Sequence, residues 1–323
     1  IMGRYYASAL GEPGAVADAI DHAYLPRFAG DDIAPSKLAQ VLAVAERLDN
    51  LASGFGAGLK PSGNKDPFAL RRNALGLGRT LIEGELDVPL RRVLAYACGL
   101  VAIDMADVPV DRLLDAAADL ADTGVAVNAE DIDRKIAATY EAANADPKLV
   151  DELHGFVLER LRGYYGDREV GSTLFDAVAA SASGDTATLP DFDQRLKAIV
   201  EFAGLPEAPA LAAANKRIRN ILRKSEDVIP ASVDESLLAD AAERDLHAAV
   251  NAAIADTGPM LATRDYIGVL RRLATLRAPV DAFFDGVMVM SEDPALRRNR
   301  LALLKRLADR FAAVAAVEHL SNS

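Results

Sequence analysis

The amino-acid sequence predicts an all-α fold, and three observations support this prediction. Apolar residues recur at the three- and four-residue spacing of amphipathic helices in nearly every segment of the 323-residue chain. Stretches in which apolar and polar residues alternate, as they do in half-buried strands, are almost absent. The chain is 51% hydrophobic and 26% charged, which supplies ample apolar surface for packed cores. We therefore expect packed amphipathic helices.

The first strong helical pattern begins at Ser36, whose hydroxyl suits the N-cap position. Its predicted apolar stripe consists of Leu38, Val41, Leu42, Ala45, Leu48 and Leu51. Two further helices are predicted in the segments DPFALRRNALGLGRTLIEG and DVPLRRVLAYACGLV. The second contains Cys98 on its apolar face, which predicts a buried, unreactive thiol. A single cysteine excludes an internal disulfide and fits a reducing cytoplasm.

Three more apolar stripes predict helices further along the chain. The first comprises Leu149, Leu153, Phe156, Val157 and Leu161. A long stripe follows at Val233, Leu237, Leu238, Ala241, Leu246, Val250 and Ile254. The last helix carries Leu296, Leu303, Leu304, Leu307, Phe311 and Val314.

Two stretches nearly repeat each other, NKDPFALRRNALGLG at residues 64–78 and EDPALRRNRLALL at residues 292–304. Asp66 and Asp293 are favourable N-caps, and Pro67 and Pro294 suit the first helical position. Both stretches therefore predict helix N-termini. Shared capping chemistry explains their likeness without a duplication.

Glycine- and proline-rich loops at 53–67, 181–192 and 202–210 divide the predicted helices. The domain boundary is predicted near residue 205, giving domains of 1–204 and 205–323. The chain begins without Met and already reads as the middle of a domain, so we expect a fragment of a longer protein. No apolar run is long enough for a membrane span and no signal peptide is visible, so no membrane partner is expected.

The sequence contains no motif that indicates a metal site or a nucleotide site. The four histidines are scattered, and neither a paired-cysteine motif nor a Walker loop or G-x-S-x-G elbow occurs. We therefore expect no metal site and no catalytic residue. The net charge of −12 disfavours a general nucleic-acid binder. Local basic faces can still bind RNA, because charges act over roughly 8–10 Å at physiological salt.

One candidate anion site follows the glycine-rich loop 54–63. Lys65, Arg71 and Arg72 are cations near a predicted helix N-terminus, whose free N–H groups also attract anions. Asp66 competes for the same N–H groups.

A second candidate is the basic ridge of the segment NKRIRNILRK, at residues 215–224. Lys216, Arg219 and Arg223 share one helical face, and the amides of Asn215 and Asn220 could contact bases. Such a ridge needs either an anionic partner or acidic neighbours, for which the candidates are Glu207, Glu226 and Asp227. The last helix adds Arg297, Arg298, Arg300, Lys305, Arg306 and Arg310.

Several long motifs resemble one protein family. AERLDNLASGFGAGLKPSGNKDPFALRRNALGLGRTLIE, MGRYYASALGE, VADAIDHAYLPRFAGD, PALAAANKRIRNILRK and FFDGVMVMSEDPALRRNRLALLKRLADRF are similar to the β subunit of bacterial-type tetrameric glycyl-tRNA synthetases. Glu46 and Arg47 stand where that family usually has Asp-Lys, and PSGNKDP replaces P-T-G-S-K-D-P. The family's N-terminal half is missing.

The resemblance implies an HD-like helical domain followed by a helical anticodon-binding domain. It implies an α2β2 enzyme of the cytoplasm, in which an α subunit with ATP and Mg forms glycyl-adenylate. The β subunit would hold tRNA(Gly), and this chain alone would carry no cofactor and be inactive. Lys65, Arg71 and Arg72 would then contact the acceptor arm. The 215–224 ridge, with Arg297 and Arg300, would contact the anticodon arm.

Two other functions stay open from the sequence. A metal-dependent HD-type phosphohydrolase would need a His…His-Asp…Asp set, of which only Asp49 has a plausible counterpart here. A lone carboxylate does not hold a catalytic metal tightly. The other alternative is a helical scaffold with no role in RNA binding.

Overall fold

The chain is all-α in the computed structural model, which describes residues 2–105, 146–182 and 184–322. Within these residues no strand is formed, so the predicted fold class is confirmed. The chain divides into two compact units. The first comprises Ile1–Tyr164 with Asp185–Pro190, and the second comprises Tyr165–Gly184 with Asp191–Ser323. The HD-like character of the first domain and the boundary at residue 205 stay predictions.

The first unit is built around a long central helix. Its helices are α1 (Met2–Ala9), α2 (Gly14–His22), α3 (Lys37–Gly56), α4 (Leu70–Glu83), α5 (Leu90–Met105) and most of α6 (Pro147–Gly166). Helices α2, α4 and α5 all pack against α3. None of the described helices of either unit is both long and apolar enough to cross a membrane.

The second unit is also helical throughout its described part. Its helices are α7 (Ser172–Ser181), most of α8 (Leu189–Ala203), α9 (Ala208–Lys224), α10 (Ala241–Ala262), α11 (Tyr266–Ala274), α12 (Arg277–Gly286) and α13 (Pro294–Ala312). Short 3₁₀ helices span Glu235–Leu237 and Val317–Asn322. Helix α13 packs against both α9 and α10, so the two helices with the most basic sequence motifs are neighbours.

The apolar face predicted for α3 is wrong for four of its six residues, whereas Leu51 is buried and Leu48 half-buried, and the helix begins after Ser36 as predicted. Leu38, Val41, Leu42 and Ala45 are exposed, whereas the buried face carries Ala39, Gln40, Ala43, Arg47, Leu51 and Phe55. The small residues Ala39, Ala43 and Gly54 of this face let neighbouring helices approach α3 closely. The choice of face therefore depends on the helices that surround α3.

The other predicted stripes agree with the observed cores, with one exception. Leu90, Leu94, Ala97 and Cys98 are buried in α5, and burial raises the pKa of the Cys98 thiol to about 11. The stripes of α6 and α13 are likewise buried or half-buried. The exception is the long stripe from residue 233, because α10 begins only at Ala241 and the preceding residues form a 3₁₀ turn and loop.

The two Asp-Pro stretches start their helices differently. Asp293 is the N-cap of α13, with Oδ1 accepting from the Ala295 N–H at 2.8 Å and Pro294 at the first position, as predicted. Asp66 is not an N-cap, because α4 begins at Leu70 after Ala69 in a left-handed conformation with φ 54°. Its carboxylate still accepts from the N–H groups of Leu70 and Arg71, at 2.8 and 2.9 Å.

We expect Asp66→Ala to lower the free energy of unfolding by about 1 kcal/mol, because the first turn of α4 loses its two side-chain acceptors. Urea unfolding followed by circular dichroism measures the change. Asp49→Ala is the control, since Asp49 is exposed on α3, and its effect should stay within about 0.5 kcal/mol. Equal effects of the two substitutions would contradict the capping role.

Candidate RNA-binding surface

The helix that carries the basic ridge, α9, is fixed partly by its own polar residues. Asn215 is buried, and its Nδ2 donates to Oε2 of Glu318 at 2.7 Å. Arg219 lies beside the same carboxylate, with its Nε 3.6 Å from Oε1 of Glu318. A neighbour that partly neutralises the ridge, at Arg219, is therefore Glu318, which the sequence analysis did not single out. Asn215 faces the protein interior and is not placed to contact RNA bases.

The remaining ridge residues lie on the outer side of α9. Lys216 and Arg223 are exposed, and the Nη2 of Arg223 donates to Oδ1 of Asn220 at 2.9 Å. Because the oxygen of Asn220 accepts from Arg223, its amide can offer a ligand the N–H groups. Arg223 and Asn220 thus form a polar pair at the surface that could contact an anion and a base together.

Arg297 is held by an ion pair within the second unit. Its Nε and Nη2 donate to the two carboxylate oxygens of Asp227, at 2.7 and 3.2 Å, and its Nη1 donates to the Ser291 carbonyl at 2.9 Å. These hydrogen bonds lower the pKa of Asp227. Such two-pronged contacts fix a guanidinium in place. Arg297 therefore ties the loop after α9 to α13.

Arg300 is buried and is part of the core of the second unit. Its guanidinium binds Glu243, donates to Oδ2 of Asp240 at 3.1 Å, and donates to the Met288 carbonyl at 2.9 Å. Glu243 is only 1% exposed, and its Oε2 accepts from the Asp240 N–H at 3.0 Å. This geometry gives Arg300 a structural role at the start of α10, away from any RNA surface.

A cationic groove lies between α9, α13 and the loop that connects α9 to α10. It consists of two adjoining hollows of about 470 and 380 Å³, which share Ile229, Lys305 and Asp309. We call it the Ile229 groove. Four cations line it, namely Arg219, Arg223, Lys305 and Arg306, and the apolar part of its lining includes Leu222, Ile229, Pro230 and Ala231.

The Ile229 groove combines residues that the sequence analysis considered separately. Arg219, Asn220 and Arg223 were predicted site residues, and Lys305 and Arg306 were noted as basic residues of the last helix. Ile229 was missed, because nothing in a loop sequence indicates which helix the loop covers. Lys305 pairs with Asp309 one turn away, so the groove also contains a carboxylate.

The residues of the other predicted site lie on the first unit. Lys65 and Arg72 are exposed, and the Nη2 of Arg71 donates to the Gly63 carbonyl at 2.7 Å. Because Asp66 already accepts from the Leu70 and Arg71 N–H groups, these two donors are not offered to an anion. The two exposed cations remain available at the surface.

Among the described residues, no group of three His, Cys, Asp or Glu side chains could hold a metal ion. Asp49, the one residue with a counterpart in the HD motif, is exposed on α3. The described part of the chain therefore gives no support to an HD-type phosphohydrolase.

Comparisons with known proteins agree with this helical architecture. A family model described as glycyl-tRNA synthetase beta subunit matches residues 1–180, and one described as DALR anticodon binding domain matches residues 211–317. The second match includes all four cations of the Ile229 groove. These findings define an all-helical component of an aminoacyl-tRNA synthetase with an anticodon-binding domain. The chain belongs to the glycyl-tRNA synthetase beta subunit family.

Curated relatives over the whole chain carry the name glycine–tRNA ligase beta subunit. The chain is 54% identical over 322 residues to the protein of Xanthomonas campestris pv. campestris, covering 100% of this chain and 41% of the relative. It is 48% identical to the protein of Xylella fastidiosa, with 100% and 43% covered. For Pseudomonas aeruginosa the identity is 41%, with 99% and 41% covered. The chain thus spans about two fifths of the length of these relatives.

Proposed function

We propose that this chain is the tRNA-binding part of a glycine–tRNA ligase β subunit. In this proposal it supports the ATP-dependent attachment of glycine to tRNA(Gly), and the second unit binds the anticodon arm. The observation that carries the proposal is the Ile229 groove, which concentrates cations within the region matched by an anticodon-binding domain. A cationic surface on a chain of net charge −12 favours a polyanionic partner.

The residues proposed to contact the anticodon arm are the outer residues of α9, together with α13. Lys216, Asn220 and Arg223 are at least partly exposed, and Arg219 lines the groove beside Glu318. Asn215, Arg297 and Arg300 are left out of the proposed contacts, because Asn215 and Arg300 are buried and Arg297 is held by Asp227. Arg306 replaces them, together with Lys305, which is included because its ion pair with Asp309 is exposed to solvent.

The acceptor arm is proposed to pass the first unit near Lys65 and Arg72. Both side chains are exposed close to the start of α4. Arg71 donates a hydrogen bond to the Gly63 carbonyl in the preceding loop. Arg71 would therefore act by shaping the loop.

The remaining parts of the proposed enzyme come from the family. We propose that an α subunit binds glycine, ATP and Mg and forms the adenylate, and that the two kinds of subunit assemble as α2β2 in the cytoplasm. This chain is then inactive alone and needs no cofactor of its own. Glycine-dependent ATP–pyrophosphate exchange by the purified chain would contradict the assignment of adenylate formation to the α subunit.

We expect the affinity of the chain for tRNA(Gly) to fall steeply as salt rises, because phosphate contacts release counterions. Arg223→Ala should lower the slope of log affinity against log salt by about one unit, since one phosphate contact is lost. Fluorescence anisotropy of labelled tRNA(Gly) over a salt series measures both slopes.

The matched control is Arg277→Ala, because Arg277 is also a surface arginine of the second unit but pairs with Asp281 on α12. Its slope should equal that of the unmodified chain. An absence of tRNA(Gly) binding at low salt would refute RNA binding by this part of the chain. An unchanged slope in Arg223→Ala would instead remove Arg223 from the interface.

A further inference from the structure

A carboxylate, that of Glu318, is fixed beside the basic face of α9 by the protein itself. Glu318 lies in the 3₁₀ helix Val317–Asn322, which packs against α7 and α9. Val317, the residue before it, is fully buried and anchors this segment. Oε2 of Glu318 accepts from the buried amide of Asn215 at 2.7 Å. The position of the carboxylate therefore does not depend on Arg219, the cation next to it.

The contacts of Arg219 with the protein are long. Its Nε lies 3.6 Å from Oε1 of Glu318, and its Nη2 lies 3.5 Å from the Ala308 carbonyl oxygen. Both distances exceed the usual range of about 2.7–3.2 Å for an N–H···O hydrogen bond. Arg297 differs, because its Nε and Nη2 bind both oxygens of Asp227 at 2.7 and 3.2 Å. Arg219 lines the groove and can turn toward a ligand without breaking a short hydrogen bond.

The pair of Glu318 and Arg219 contributes little to the stability of the fold. Its side chains are 22% and 35% exposed, and partly exposed pairs are weak because water screens them and ordering long side chains costs entropy. A phosphate bound at the outer nitrogens of Arg219 would lie across one guanidinium from Glu318. That separation is comparable with the Debye length of about 8 Å at physiological salt, so the carboxylate would repel the phosphate.

We propose that Glu318 limits the affinity of the second unit for RNA. Its fixed negative charge offsets part of the positive charge of Arg219 and opposes the binding of a phosphate there. The surface therefore releases fewer counterions on binding RNA than its cations alone would release. Glu318 acts through Arg219 and does not contact RNA itself. This inference rests on the proposed function, because it assigns to Glu318 an opposing effect within the same RNA-binding surface.

The test compares Glu318→Gln with the unmodified 323-residue chain, using labelled tRNA(Gly) over a salt series. Glutamine keeps an oxygen that can accept from Asn215 but removes the charge. We expect binding about threefold to tenfold tighter at about 0.1 M salt, the effect of one charge removed at this range. The slope of log affinity against log salt should steepen by up to about one unit, so the two affinities converge at high salt. A purely structural contact would leave the slope unchanged.

Three further variants separate this local effect from net charge and from packing. Asp281→Asn removes the same charge from α12, where Asp281 pairs with Arg277, and should leave the affinity unchanged. Glu318→Asp retains the carboxylate and should remain closer in affinity to the unmodified chain than to Glu318→Gln. Glu318→Ala also removes the charge and should also bind more tightly, which covers a failure of Glu318→Gln to fold.

The outcomes distinguish this inference from the proposed function. Equal or weaker binding by the folded Glu318→Gln and Glu318→Ala variants would overturn the inference and leave tRNA binding by the chain intact. Equal tightening by Asp281→Asn would also overturn it, because net charge alone would then explain the gain. No binding by the unmodified chain at low salt would overturn the proposed function and this inference with it.

Discussion

Arg300→Met is expected to lower the free energy of unfolding by about 3–5 kcal/mol, because it leaves a buried carboxylate without its partner. Glu243 is 1% exposed, and Arg300 is its charged partner in the core of the second unit. Methionine fills much of the same volume, so the loss comes chiefly from the charge. Urea unfolding of the second unit, followed by tyrosine fluorescence and circular dichroism, measures it.

A second substitution identifies the cause of this loss. Glu243→Gln removes the charge but keeps an oxygen that can accept from the Asp240 N–H. In the Arg300→Met background it should recover about 1–2 kcal/mol, since residues of one network couple by about that amount. Arg298→Met is the control, because Arg298 is exposed on the same helix and should change stability by no more than about 0.5 kcal/mol. Failure of Glu243→Gln to recover stability would show that packing, and not charge, explains the loss.

Arg47→Met is expected to destabilise the first unit by about 3–5 kcal/mol, because a buried guanidinium that bonds to several carbonyls is replaced by an apolar chain. Arg47 is 3% exposed, and its Nη1 and Nη2 donate to the carbonyls of Ala23, Tyr24, Leu25, Pro26 and Ala43, at 2.9–3.2 Å. Four of these carbonyls follow the end of α2 and have no helical partner of their own. Burial also lowers the pKa of the guanidinium.

Two comparisons make the Arg47 prediction specific. Arg47→Lys keeps a charge but offers three N–H donors in place of five, so its loss should be intermediate. Arg27→Met removes a solvent-exposed ion pair with Asp31 and should cost about 0–1 kcal/mol. If Arg27→Met and Arg47→Met have the same effect, the carbonyl contacts do not stabilise the fold.

Gly76 gives an independent check on the position of Arg47. A Cβ atom at Gly76 would lie 2.6 Å from the Nε of Arg47. Gly76→Ala should therefore destabilise the protein, although alanine ordinarily favours a helix by about 1 kcal/mol over glycine. In the Arg47→Met background the same substitution should be much less harmful, because the flexible thioether chain can move aside. Additive effects would contradict the close approach.

Helix starts were predicted correctly from the sequence where the capping side chain is close in the chain to the N–H group that it binds. Ser36 and Asp293 cap their helices as predicted, since the side chain and the N–H group it binds are two or three residues apart. The same reasoning failed at Asp66, where the additional Phe68 separates the carboxylate from a helix that begins at Leu70. There the carboxylate reaches N–H groups four and five residues away, across a left-handed residue at Ala69.

The candidate site was predicted only in part. Helical spacing correctly places Arg223 and Lys216 on the exposed side of α9, because charged side chains seldom face an apolar core. Spacing could not separate these cations from Arg297 and Arg300, which bind Asp227 and Glu243, 70 and 57 residues away in the chain. Whether an arginine meets RNA or a buried carboxylate depends on such distant partners.

Sequence patterns alone predict that this chain is helical and where its locally capped helices begin, because both properties depend on hydrogen bonds and apolar spacing within a few residues. Long shared motifs likewise indicate its family. The packed structure was needed to show which face of α3 is buried, that Arg47 and Arg300 lie inside their units, and that Ile229 completes a groove with α13. Burial and ion pairing are set by the segments that pack together, and the residues that meet there are far apart in the chain.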